Sequence, residues 1–156
     1  MEFVRGETCP DTVRELIAEY TKWLGRDLEF QHLEHELEDP GFKYFPPNGE
    51  TIVAVEDGRA LGMVAYNRHN AKRCEFKRLY VRPEARGRHL GHELMVRIID
   101  LAVAAGYEEM VLDTILPLQQ AIGMYRRYGF VEIPPYYRNP MKDVIYMSLD
   151  LTRLRA

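Results

Sequence analysis

Arg78-Leu79-Tyr80-Val81-Arg82-Pro83-Glu84-Ala85-Arg86-Gly87-Arg88-His89-Leu90-Gly91 is the stretch that decides the fold. Leu79, Tyr80 and Val81 are bulky residues that suit a pleated strand. Pro83 has no N–H for a sheet ladder and ends that strand. From Leu90 onward the apolar residues switch to helical spacing, at Leu90, Leu94, Ile98, Leu101 and Ala105. The order is therefore strand, basic glycine-containing loop, helix. A helix N-terminus carries unpaired N–H groups and roughly half a positive charge. Arg86 and Arg88 place two full charges beside it, which makes a phosphate site. The plainer alternative is an ordinary connection with solvated arginines. The loop has neither the Gly-x-x-x-x-Gly-Lys-Ser/Thr of a P-loop nor a dinucleotide Gly-x-Gly-x-x-Gly with its distant acid.

Upstream, Met1–Arg5 reads as a short strand. Asp11 or Thr12 can cap a helix whose apolar face is Val13, Leu16, Ile17, Tyr20 and Leu24, with Gly25 as its stop. A second helical segment is expected from Leu28 to Leu37, broken by Asp39-Pro40-Gly41. Asp27–Asp39 holds six carboxylates and no lysine or arginine. It is either a solvated helix face or an acidic lid for a cationic amine. His32, His35 and Glu36 lack the further distant ligand that a metal site needs, so no metal is expected. The aromatic, proline-rich run Phe42–Gly49 either walls a pocket or plugs the core edge.

Thr51–Glu56 and Ala60–Asn67 are strand-like and joined by Asp57-Gly58, a strong hairpin signal. Arg73–Arg82 is the next strand, and a helix from His89 to Ala105 ends at Gly106. Glu109–Ile115 alternates as a strand, with Met110, Leu112 and Thr114 on one side and Val111, Asp113 and Ile115 on the other. Pro117 can open a further helix with Ala121, Ile122, Met124 and Tyr125 on its apolar face, ending at Gly129. Phe130–Ile133 and Val144–Leu151 close the chain as a strand pair. This alternation predicts a single α/β domain over residues 1–156 with a mixed central sheet flanked by helices.

Two stretches together resemble the GNAT superfamily of acetyl-CoA-dependent N-acetyltransferases. The first is the strand ending at Val81 with Arg86, Leu90 and Gly91, similar to the family's Arg/Gln-x-x-Gly-x-Gly/Ala loop. His89 stands where that loop usually has its first glycine, so a side chain crowds the phosphates there. The second is Ala121-Ile122-Gly123-Met124-Tyr125-Arg126-Arg127-Tyr128-Gly129-Phe130, similar to Asn-x-x-Ala-Ile-x-Leu-Tyr-x-x-x-Gly-Phe, with Leu118 at the asparagine position. The likeness is clearest from Arg73 to Leu151 and implies a GNAT-like fold with acetyl-CoA as co-substrate.

The resemblance also implies roles. Backbone groups around Leu79, Tyr80 and Val81 would pair with the pantetheine arm like an added strand, and one N–H would polarise the thioester carbonyl. Arg86, Gly87, Arg88, His89, Leu90, Gly91 and His92 would hold the pyrophosphate. Tyr125 would return a proton to the leaving thiolate, since a phenol of reference pKa near 10 stays protonated at neutral pH. Glu75 is the first candidate base, with a carboxyl raised by desolvation and a side chain on the same face as Val81. Asp113 and a water chain are its rivals. Tyr136 and Tyr137, before the last strand, would border the acceptor, close the sheet edge or face a second subunit of a homodimer.

The remaining features bound the answer. A chain of 156 residues, 46% hydrophobic and 29% charged, suits one globular domain. A net charge of −3 points away from nucleic acid. No apolar run approaches the roughly 20 residues of a membrane span. Met1–Gly6 lacks the apolar core of a signal peptide, and Cys9 and Cys74 make no disulfide framework, so a reducing cytoplasmic setting is expected. The expected function is transfer of an acetyl group from acetyl-CoA to a primary amine by direct attack. The alternative is a non-catalytic acyl-CoA sensor or partner-docking module.

Overall fold

Asp57 and Gly58 both adopt positive φ, at 52° and 76°, the twist that a two-residue hairpin needs. They join β2 (Gly49–Glu56) to β3 (Arg59–Arg68), the longest antiparallel pair of the sheet. The computed structural model describes residues 1–154. Within them β1 (Glu2–Arg5) flanks β2, and β4 (Arg73–Val81), β5 (Glu109–Ile115), β6 (Val131–Ile133) and β7 (Val144–Asp150) complete a sheet of order β1-β2-β3-β4-β5-β7-β6. Neighbouring strands run antiparallel except β4 and β5, which are parallel. This is the mixed sheet that the strand and helix alternation predicts.

The parallel pair is short. β4 and β5 are paired at Arg73–Glu109, Cys74–Met110 and Glu75–Val111, and no further. Beyond that point they diverge into a fork. The cause lies in β4 itself. Tyr80 pairs with Met63 and Lys77 with Ala65, so Arg78 and Leu79 together oppose Val64. That is a β-bulge, and Arg78 sits in it with φ 59°. A non-glycine residue there costs about 1 kcal/mol. The side chain secures it: Arg78 donates to both oxygens of buried Glu36, from Nε at 2.8 Å and Nη2 at 3.0 Å.

A bulge also reverses side-chain alternation. Cys74 and Phe76 pack on the face covered by the later helices, and so do Leu79 and Val81. Tyr80 packs on the opposite face, where Glu75 and Lys77 also lie. The expectation that Glu75 and Val81 share a face is therefore corrected. The extra residue at Arg78 sits between them.

Helix α1 (Pro10–Leu24) starts with proline in its first turn and ends at Gly25, which takes the left-handed conformation at φ 70°. Its N-cap is Cys9, without a side-chain cap, rather than Asp11 or Thr12. Val13, Leu16 and Ile17 are fully buried against Val53, Met63 and Ala65. Arg82 ties the helix to the end of β4 by bonds to Glu19 at 2.7 and 3.0 Å and Glu15 at 3.0 Å. The expected helix over 28–37 is split. His32 takes φ 62° between a 3-10 turn and α2 (Leu33–Glu38). A short α3 (Gly41–Tyr44) follows, and Tyr44 is fully buried with its hydroxyl donating to Glu36 at 2.8 Å. The aromatic run thus plugs the core edge.

On the other face, α4 (Leu90–Ala104) and α5 (Gln119–Tyr128) enclose the larger core around Leu94, Ile98, Met110 and Phe130. Pro117 lies before α5 rather than inside its first turn, and Leu118 is the N-cap. No helix of the described residues is long and apolar enough to cross a membrane.

Candidate active site

The fork opens into a cavity of about 1120 Å3. That exceeds the roughly 300–1,000 Å3 of ordinary small-molecule sites and suits an extended ligand. One wall is β4 with Leu79, Tyr80 and Val81, and the other is β5 with Leu112, Asp113 and Thr114. Past Glu75, β4 has a strand partner only on its β3 side, so one edge is free. Trp23, Tyr20 and Tyr80 form an aromatic side wall, with Trp23 and Tyr80 centroids 5.9 Å apart.

At one end lies the start of α4. Glu93 is the first residue whose N–H reaches back into the turn, to His89 at 3.2 Å, which leaves the N–H groups of Leu90, Gly91 and His92 outside the helical ladder. All three residues border the cavity with Arg86, Gly87 and His89. A Cβ at Gly91 would meet only Val81, at 3.8 Å, and would stand in the cavity. These features fit a pyrophosphate and an extended arm. His89 is the N-cap at φ 59°, a backbone geometry that favours glycine. Arg86 donates from Nε to the Val81 carbonyl at 3.0 Å, and its guanidinium lies 5.1 Å from the Trp23 ring centroid. Arg88 does not join this group. It pairs with Glu56 at 2.7 Å, away from the cavity, which corrects its expected place on the phosphates.

Tyr125 borders the middle of the cavity from the α5 side, edge-on to Phe76 at 5.4 Å. Burial raises its phenol above the ordinary value, so it stays protonated. Its hydroxyl makes no hydrogen bond to a described residue and is not a sealed polar atom. It is therefore free to donate into the cavity.

Glu75 behaves differently from expectation. It does not border the cavity. His69 Nε2 lies 3.1 Å from one of its oxygens, Tyr136 donates to the other, and Lys77 Nζ is 3.8 Å away. Burial alone would raise the carboxyl, but Lys77, His69 and Tyr136 outweigh it and hold the group at about 2. The expectation of a raised, basic Glu75 is corrected: desolvation is opposed by three partners, of which Tyr136 is 61 positions away in the chain. A depressed carboxyl contributes stability above its unfolded value, and that contribution is lost as pH falls through the folded value. Acid denaturation should therefore expose a loss of roughly 3 kcal/mol between about pH 4.5 and 2, at 1.36 kcal/mol per pKa unit. Chemical unfolding of Glu75→Gln against pH checks this, with a flatter curve expected in that window.

Asp113 takes the position at the fork. Its Oδ2 accepts from the Tyr137 hydroxyl and from Asn139 Nδ2 at 2.7 Å. Its Oδ1 accepts from no described residue, and Asp113 borders the cavity. Tyr136 and Tyr137 do not border it. They face a separate cavity of about 620 Å3, and their hydroxyls hold Glu75 and Asp113 from behind. Their expected contact with the acceptor is corrected to this bracing position. The residues that sequence reading missed are Lys77, Gln31 and Met141, which border the cavity near Asp113. The acidic segment reaches the cavity only through Leu28 and Gln31, and none of its six carboxylates borders it: Asp27 and Asp39 accept from neighbouring backbone N–H groups and Glu36 is buried on Arg78. His35 stacks on Phe42, with centroids 3.9 Å apart.

Comparison with known proteins bears on this arrangement. The acetyltransferase (GNAT) family profile matches residues 12–130. An uncharacterised N-acetyltransferase of Schizosaccharomyces pombe is 43% identical over 145 residues, covering 92% of this chain and 89% of that protein. Among solved structures, an acetyltransferase from Streptococcus agalactiae superposes with a TM-score of 0.79 at 20% identity, over 96% of this chain and 97% of the other. The Campylobacter jejuni N-acetyltransferase PseH in complex with acetyl coenzyme A superposes with a TM-score of 0.66 at 19% identity, over 96% and 97%.

Proposed function

Since the chain belongs to the acetyltransferase (GNAT) family, whose members use acetyl-CoA as co-substrate, we propose that it transfers the acetyl group to a primary amine by direct attack along the β4–β5 fork. One observation carries this reading. A single cavity passes through the sheet, bordered by the unbonded Tyr125 hydroxyl on the α4–α5 side and by Asp113 on the α1 side. An acid and a base thus stand on opposite faces of one opening.

Acetyl-CoA supplies the thioester carbonyl and a thiolate leaving group. The start of α4, with Arg86, holds the phosphates, and the free edge of β4 orders the arm. An alkylamine of reference pKa about 10.4 is mostly ammonium at pH 7, and neutralising it costs roughly 4–5 kcal/mol. Asp113 receives that proton at Oδ1. The neutral nitrogen bonds to the carbonyl carbon and the C–S bond breaks. Tyr125 delivers a proton from its hydroxyl to the sulfur, and the second N–H proton, lost from the adduct nitrogen, replaces the one Tyr125 gave up. The half-buried Cys9 and buried Cys74 are both free thiols, which supports a reducing, cytoplasmic setting.

Calorimetric titration with acetyl-CoA, beside free-thiol release over a panel of amines, tests the reading. Binding with release is expected. No binding would overturn it, and binding without release from any amine would favour the sensor alternative. Tyr125→Phe should lower kcat by about 100-fold with acetyl-CoA affinity little changed. That is the low end of general-acid effects, because a thiolate is a weakly basic leaving group. An unchanged kcat removes the role.

A further inference from the structure

We infer that the acceptor is an amine that carries its own carboxylate, an amino-acid-like zwitterion, bound with its carboxylate on Lys77 and its amine on Asp113. The inference deepens the acetyl-transfer reading and rests on it.

The register of the fork supplies the first argument. The last paired residues of β4 and β5 are Glu75 and Val111. Lys77 and Asp113 each lie two residues further along, so they share a face and stand opposite each other where the strands part. Both border the cavity. Opposite charges so placed would ordinarily close on each other, yet no ion pair joins them among the described residues.

An amide bridge keeps them apart. Gln31 Oε1 accepts from Lys77 Nζ at 3.1 Å, and Gln31 Nε2 donates to the Tyr137 hydroxyl at 3.1 Å. Tyr137 in turn donates to Asp113, and Asn139 braces the same oxygen. Both charged groups are thereby fixed, separate and incompletely used. Lys77 is 6% exposed, and of its three donors Gln31 takes one while Glu75 stands off at 3.8 Å. Asp113 keeps one oxygen without a partner.

The local charge balance gives an independent argument. At this end Lys77, Arg78 and Asp113 border the cavity, and behind them Glu36 pairs with Lys43 and Arg78 while Glu75 lies near Lys77. The site has no surplus negative charge to draw in a polycation. A molecule of zero net charge with separated ends uses both poles without leaving either uncompensated.

The test compares L-amino acids with their own α-amides and with the corresponding decarboxylated amines, by thiol release from acetyl-CoA. In the wild-type protein the acid should exceed its amide in kcat/KM by roughly 10- to 100-fold, the size of a charge-assisted hydrogen bond. Lys77→Gln should bring that ratio to within about threefold of unity, and Lys77→Arg should restore part of it. Titration of the best amino acid into the CoA-saturated protein should show the same preference as a difference in Kd. Acetyl-CoA titration of each variant confirms that it is folded. Amides or decarboxylated amines used as well as the acids would overturn the inference while acetyl transfer stands. So would a ratio unmoved in Lys77→Gln. Absence of both acetyl-CoA binding and thiol release with every amine would overturn acetyl transfer itself, and the inference with it.

Discussion

Asp113→Asn is expected to lower kcat/KM at pH 7 by about 100- to 1,000-fold. The amide is nearly the same shape and can still accept from Tyr137, so the pocket wall is kept. What disappears is the oxygen that can receive a proton from the ammonium. The deficit should therefore shrink as pH rises toward the amine's own value near 10, where solvent has already done the deprotonation. A loss of equal size at every pH would show that Asp113 only shapes the wall. An unchanged rate would place the base elsewhere, with a water chain the remaining rival. Glu75→Gln serves as the contrast. Its carboxyl lies outside the cavity and is held at about 2, so its rate should stay within a few-fold of wild type at pH 7 and show no recovery with pH.

The features that sequence reading found are those with local causes. Pro83 ends a strand, Gly25 ends a helix and Asp57-Gly58 turns a hairpin, each through its own backbone preferences. The helical spacing after Leu90 fixed α4, and with it the anion cradle that starts there. The features it missed have distant causes. No property of Arg78 or its neighbours announces a positive φ. That conformation is held by Glu36, 42 positions away in the chain, and it inverts the faces of everything beyond it. Arg88 reads as a phosphate ligand until Glu56, on β2, is seen to take it. Glu75 reads as a raised carboxyl because burial is visible in the strand pattern, whereas Tyr136 arrives only through the tertiary fold. Lys77 carries no motif. Its meaning comes from its register with Asp113, which requires knowing where β4 and β5 stop pairing.

Glu36→Gln is expected to destabilise the protein by about 3–5 kcal/mol, the cost of leaving one member of a buried ion pair without its partner. Glu36 is fully buried and accepts from Arg78 twice, from Tyr44 at 2.8 Å and from Lys43 at 3.3 Å. Burial opposes its charge, but Arg78 and then Lys43 and Tyr44 keep its carboxyl below the ordinary value. A glutamine there can satisfy some of the four donors but supplies no charge for an Arg78 guanidinium that is 3% exposed. The thermal midpoint should fall by roughly 6–20 °C, at about 2–4 °C per kcal/mol for a chain of this size. The second consequence concerns the site. Arg78 holds the bulge that parts β4 from β5, and it also donates to Gln31, the bridge between Lys77 and Tyr137. At temperatures where the variant is still folded, acceptor KM should therefore rise several-fold while acetyl-CoA affinity changes less, since the hydrogen-bond partners of the Glu36 carboxylate are Lys43, Tyr44 and Arg78, none of them on α4. A large fall in stability with an unchanged acceptor KM would separate the two roles and make the pair purely a fastener of the fold. A fall of under 1 kcal/mol would mean that water reaches Arg78, and that its positive φ is held by the strand pairing alone.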